Sequence, residues 1–129
     1  MCRPPPIDPR IGLVWDDSGW DLEPQWAREP QIDAIEAVCR RALGIKDHRE
    51  PCTATFHAAG AFNRLYLITT LLGKSLIRVT LPVDPKWKTQ GEVATLRWLR
   101  HGTNVPVPRV VAFDDAQDNE LGFEWILME

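Results

Sequence analysis

The spacing of apolar positions changes several times along the chain, and each change marks an element. From Pro30 to Gly44 the apolar residues recur at helical spacing, with Ile32, Ile35, Val38, Cys39 and Leu43 on one side. Proline suits a first turn and glycine suits a stop. Arg40 and Arg41 lie near the C-terminal end, where cations complement the helix dipole. After the polar connection GIKDHREP the period falls to two. Cys52 to Ala58, Asn63 to Thr70 and Ser75 to Leu81 read as three strands. The small-residue turn AAGAF (Ala58 to Phe62) joins the first two, LLGK joins the second and third, and Pro82 and Pro85 stop the third. Helical spacing returns from Lys86 to His101. There Trp87, Val93, Leu96 and Leu99 form an apolar stripe with Ala94 and Trp98 beside it, and Gly102 ends the helix. The stiff loop TNVPVP leads to a fourth strand, Arg109 to Phe113. The turn DDAQDN leads to a fifth, Gly122 to Met128.

The order is helix, three strands, helix, two strands. Short hairpin links imply an α+β fold: a five-stranded, mainly antiparallel sheet with a helix packed on it, preceded by an extra N-terminal helix. Residues 1–28 follow another pattern. Pro4, Pro5, Pro6, Pro9 and Pro24, with the acidic turn around Asp16-Asp17-Ser18-Gly19, predict an irregular arm. Trp15, Trp20 and Trp26 lie within it, and large aromatics favour burial, so the arm is expected to be draped on a surface.

A length of 129 residues suits one domain with a modest core. The formal net charge of -3 argues against a nucleic-acid surface. No apolar run approaches the roughly 20 residues that cross a bilayer, so no membrane partner is expected. The N-terminal MCRPPPIDPR has no apolar segment of a signal peptide. Cys2, Cys39 and Cys52 are odd in number and scattered, which reads as reduced thiols in a cytoplasmic protein. His48, His57 and His101 do not share metal-ligand spacing with them, so no zinc site is expected.

The charge placement adds candidate chemistry. In the third strand Ser75, Ile77, Val79 and Leu81 share one face and look like core, while Lys74, Leu76, Arg78 and Thr80 share the other. An arginine set among Leu and Val needs an acceptor when it is even half buried. Glu92, next to Val93 on the following helix, can supply one in a geometry-fixing ion pair. Taken alone, Arg78 reads equally well as a strand residue extending its head to water, and Glu92 as a solvated helix residue. The turn holding Gly60, Ala61 and Phe62 would let backbone N–H groups approach an anion, but with a single glycine its composition alone favours a merely tight turn.

A hairpin with a small-residue tip, a strand bearing a cation, a helix bearing a carboxylate and a final strand ending in WILME together resemble the N-terminal lobe of the protein-kinase-like fold. More closely, they resemble the aminoglycoside phosphotransferase-like proteins of fungi. The stretches GLVWDDSGWDLEPQW, AGAFNRLYLI, IRVTLPVDPKWKTQGEVATLRWLR, TNVPVPRVVAFD and NELGFEWILME carry the likeness across nearly the whole chain. The resemblance implies a nucleotide-binding lobe over residues 29–129, ending at the hinge, with the C-lobe absent. It places Gly60, Ala61 and Phe62 on the hairpin that covers the nucleotide. Arg78 stands at the strand position of the lysine that touches the α and β phosphates, and Glu92 at its carboxylate partner. Leu127, Met128 and Glu129 fall on the hinge, where backbone groups would meet adenine.

In that family ATP passes its γ-phosphoryl group to a small-molecule hydroxyl with Mg²⁺. The catalytic-loop Asp, the metal-binding Asn and a second metal-binding Asp lie beyond the hinge, so no Mg²⁺ ligands are expected here. Residues 1–129 alone are expected to bind ATP weakly or not at all and to have no phosphotransferase activity. A small-molecule acceptor would enter only with a C-lobe. Arg at the lysine position keeps the charge but changes the geometry. The alternative is a non-catalytic binding or regulatory fragment, or a truncated gene product. An uncovered apolar underside would then invite self-association or a partner.

Overall fold

The computed structural model describes residues 13–16 and 23–129. Two short strands come first, β1 (Leu13–Asp16) and β2 (Glu23–Trp26), followed by helix α1 (Ile32–Leu43). Strands β3 (Cys52–Ala59), β4 (Asn63–Thr70) and β5 (Gly73–Thr80), helix α2 (Trp87–Gly102), and strands β6 (Val110–Asp114) and β7 (Glu124–Met128) complete the fold.

The alternation between 52 and 80 forms two hairpins, and β3 runs to Ala59, one residue beyond the expected boundary. The larger sheet has the order β3-β4-β5-β7-β6, antiparallel throughout. It is therefore the expected α+β plan, with α2 as the crossover that lets β7 enter beside β5. A register shift between Phe56 and Ala58 bulges β3, which adds local twist near the hairpin tip.

One expectation is corrected. Residues 13–16 and 23–26 are not irregular but pair as an antiparallel ribbon, with Leu13 opposite Trp26 and Asp16 opposite Glu23. In a two-stranded ribbon each strand is an edge, so the donor missing at Pro24 costs little. Trp26 packs on Phe123, with ring centroids 5.2 Å apart, and the Arg64 guanidinium lies 4.5 Å over its ring. The expected turn at Asp17-Ser18-Gly19, Trp20, the prolines at 4–9 and Cys2 lie outside the described residues.

Residues opposite one another in adjacent strands share a face, so register assigns the two sides of the sheet. Tyr66, Ile77 and Leu127 form one row, and Val79 and Trp125 lie beside it. With Ile68 and Phe123 these side chains meet Ile35, Val38 and Cys39 of α1 in the main apolar core. The stripe expected of α1 is narrower than its sequence suggests, because Ile32 is 42% exposed. Gly44 ends α1 at φ 71, and the two cap N–H groups reach back to the carbonyls of Arg40 and Arg41. Cys39 and Cys52 are buried free thiols. Burial, then the neighbouring Cys52 and Glu36, pushes the Cys39 thiol up to about 12.

The opposite face carries Asn63, Leu65, Leu76, Arg78, Thr80, Glu124, Ile126 and Met128. Helix α2 lies on part of it through Val93 and Leu96, against Ile126, Met128, Val110 and Phe113. The expected α2 stripe is corrected at its start, where Trp87 is 67% exposed, and Trp98, placed beside the stripe, is 66% exposed. No helix among the described residues is long and apolar enough to cross a membrane.

Candidate functional site

The start of α2 is held from an unexpected place. Lys86, the residue before the helix, has φ 71, which an L side chain adopts at a cost. Its N–H donates to Glu124 Oε1 at 2.9 Å, and Glu124 is a buried carboxylate inside β7. Burial pushes the Glu124 carboxyl above its ordinary value, opposed by the Thr89 hydroxyl and then the Lys86 N–H. An acid at the start of β7 thus ties down the first turn of α2, and that turn sets where Glu92 falls.

Glu92 meets Arg78. Arg78 Nη1 lies 3.1 Å from Glu92 Oε2, and both side chains are about three-quarters buried, at 22% and 26% exposure. The pair is close but incompletely aligned. Arg78 Nε and Glu92 Oε2 are both buried without a hydrogen-bond partner among the described residues. A third charge joins them: Lys88, one turn before Glu92, brings Nζ to 3.7 Å from Glu92 Oε1. Lys88 Nζ also lies 3.3 Å from Asn63 Oδ1 and 5.9 Å from the centre of the Phe62 ring. Thr80 donates its hydroxyl to the same Asn63 oxygen at 3.2 Å. Hairpin tip, central strand and helix therefore converge on one carboxylate and one amide.

Beside this cluster the sheet is concave. Gly60, Asn63, Leu65, Leu76, Arg78, Leu96, Pro108 and Met128 line a cavity of about 350 Å³, apolar except at its Arg78 end. The candidate residues divide accordingly. Gly60, Arg78 and Met128 line the cavity, and Glu92 reaches it through its ion pair with Arg78. Ala61 and Phe62 are exposed on the connection after β3, and the Gly60 N–H is spent on the Asn63 carbonyl at 2.9 Å. The Leu127 side chain points the other way, into the α1 core. The Glu129 N–H donates to the Arg109 carbonyl at 2.9 Å, and the Glu129 carbonyl accepts from the Arg109 N–H at 3.2 Å. Sequence reasoning missed Lys88, Asn63 and Glu124. For Lys88 a signal was present, the i,i+4 pairing of Lys and Glu on one helix.

The fold has a counterpart among solved structures. A crystal structure of a provisionally assigned aminoglycoside phosphotransferase from Ralstonia eutropha JMP134 superposes with a TM-score of 0.53 at 20% identity, over 78% of this chain and 28% of that one. The fold is a protein-kinase-like N-lobe. Among curated proteins, a subtelomeric hrmA-associated cluster protein of Aspergillus fumigatus, found in two strains, is 36% identical over 75 residues, 56% of this chain. The chain spans about 15% of the length of those relatives. No family model matches the sequence.

Proposed function

We propose that this N-lobe is the nucleotide-binding half of a small-molecule kinase of the aminoglycoside phosphotransferase type. In the whole protein it would hold ATP while the γ-phosphoryl group passes to an acceptor hydroxyl. The observation that carries the reading is the Arg78–Glu92 ion pair, set at the polar end of an otherwise apolar cavity. An apolar slot with one convergent cation suits a flat base joined to a charged tail.

The residues present fit the phosphate end of ATP. Buried polar atoms normally have partners, and Arg78 Nε is buried with no protein acceptor. A phosphate oxygen would supply that acceptor in a charge-assisted hydrogen bond. ATP, when bound, would supply the γ-phosphoryl group, with ADP as the leaving group. Arg78 would orient the tail, and Glu92 would hold the guanidinium in one rotamer. Leu65, Leu76 and Met128 would keep water from the base. No group of three His, Cys, Asp or Glu side chains suited to a metal occurs among the described residues.

Isothermal titration calorimetry of the full-length protein with ATP tests the reading. Saturable binding, abolished in Arg78→Ala and weakened in Glu92→Gln, is the expected result. Folded full-length protein that gives no saturable heat with millimolar ATP overturns it.

A further inference from the structure

Lys88 is not needed to explain the fold or the Arg78–Glu92 pair, yet three elements converge on it. Its side chain is 23% exposed, although lysine is rarely buried without a close partner. Its ammonium has three donors. The contacts at Nζ are long: 3.3 Å to a neutral amide oxygen and 3.7 Å to a carboxylate oxygen. That carboxylate is shared, since Glu92 meets Arg78 through Oε2 and Lys88 through Oε1. Two cations thus flank one anion at the polar end of the cavity. Of the other carboxylates near the start of α2, Glu124 accepts from the Lys86 N–H, Asp115 accepts from the Gln90 side chain at 2.5 Å, and Asp84 is exposed. Asn63, which holds the ammonium, is itself a lining residue of the cavity.

The geometry points to Lys88 as a second phosphate-binding cation, which makes the site select nucleotides by the length of their phosphate chain. This rests on the reading of the cavity as a nucleotide site. A monophosphate engages Arg78 alone, whereas a di- or triphosphate reaches both Arg78 and Lys88. The amide of Asn63 and the ring of Phe62 hold Lys88 toward the hairpin tip, on the side where a longer tail would extend. Lys88 is a specificity-determining residue in this scheme and not a group that moves protons.

The test compares ATP, ADP and AMP by calorimetry on the full-length wild-type protein and on its Lys88→Gln and Lys88→Arg variants, with circular dichroism confirming the fold of each. Wild type is expected to prefer ATP and ADP over AMP. Lys88→Gln should lose about tenfold in ATP affinity, the scale of one charge-assisted hydrogen bond, while AMP affinity stays within about twofold. Lys88→Arg should restore most of the preference. If wild type binds nucleotides and Lys88→Gln keeps the same ATP-to-AMP ratio, this inference falls and the proposed function stands. If wild type binds none of the three, both fall.

Discussion

The two faces of the five-stranded sheet are drawn alternately from the same strands, and they do different work. In β5 the neighbours Ile77 and Arg78 point to opposite sides. Ile77 is fully buried against the α1 core, and Arg78 reaches the cavity and Glu92. The α1 face is dry and continuous from Cys52 to Trp125. The α2 face has a small apolar cluster at one end and a cavity and three interacting charges at the other. One face therefore supplies most of the folding free energy, which leaves the other able to hold incompletely paired polar groups.

The sharpest way to break this comparison is to alter the two neighbours separately. Ile77→Ala should destabilise the chain by about 2–5 kcal/mol, the usual cost of emptying a buried isoleucine site. Arg78→Met should cost no more than about 1 kcal/mol, because methionine replaces the buried stem and Glu92, itself 26% exposed, keeps Lys88 at 3.7 Å, and yet it should abolish ATP binding. Chemical denaturation of both variants, with the ATP titration alongside, reads the contrast. Equal losses of stability would mean that the cavity face is as structural as the core.

A smaller effect is expected where the α1 face continues into the turn before β7. Gly122 sits at φ 76, and its carbonyl accepts from Arg28 Nη2 at 2.7 Å while the Arg28 guanidinium lies 4.4 Å over the Phe123 ring. Gly122→Ala puts a side chain into a left-handed conformation, at about 1–2 kcal/mol, and pushes its Cβ against the Arg28 guanidinium. Thermal unfolding should show the loss. Arg28→Ala, which removes the clash but not the strain, should rescue the double variant only in part.

Glu124 offers a pH test of the cavity face. Its folded carboxyl titrates above 4.5, mainly because burial disfavours the charge. The folded state then binds the proton more readily than the unfolded chain does. Glu124 therefore contributes most to stability below that ordinary value, and its contribution declines as pH rises through the raised one. Glu124→Gln keeps an acceptor for the Lys86 N–H and removes the titration. The unfolding free energy of wild type minus that of Glu124→Gln should fall between about pH 4 and pH 7. A difference that stays flat or rises would mean that burial does not govern this acid.

Much of this fold could be read from the sequence. The change of period from helical to two and back placed both helices and all five strands of the larger sheet. The position of Arg78 on the polar side of β5 followed from alternation alone, and its partner Glu92 from the next helix. What escaped were contacts that no local pattern encodes. Glu124 lies in GFEWILM, where nothing signals that it holds a helix start 38 residues earlier. Asn63 reads as the polar end of a strand, and its role emerges only when the hairpin tip meets α2. The ribbon of residues 13–16 and 23–26 was hidden by Pro24, which a two-stranded edge tolerates.

The two tryptophans of α2 give the smallest and most pointed test, within one helix. Helical spacing places Trp87 in the apolar stripe and Trp98 beside it, but only Thr89 and Val93 are buried in α2, with Leu96 packed beside them. The helix rests on the sheet by a narrow strip, because the cavity takes the width that a broad apolar face would otherwise fill. Trp87 lies under a weak cation contact, with Lys86 Nζ 5.8 Å from the ring centre, and Trp98 stands mostly in solvent beside Gly102. Trp87→Ala and Trp98→Ala should each change stability by no more than about 0.5 kcal/mol, as surface substitutions do, whereas Val93→Ala should cost about 1–2 kcal/mol through lost burial. Denaturant midpoints of the three variants separate these outcomes. A large loss at either tryptophan would mean that α2 buries its aromatic face, and the narrow-strip account of the cavity would fail with it.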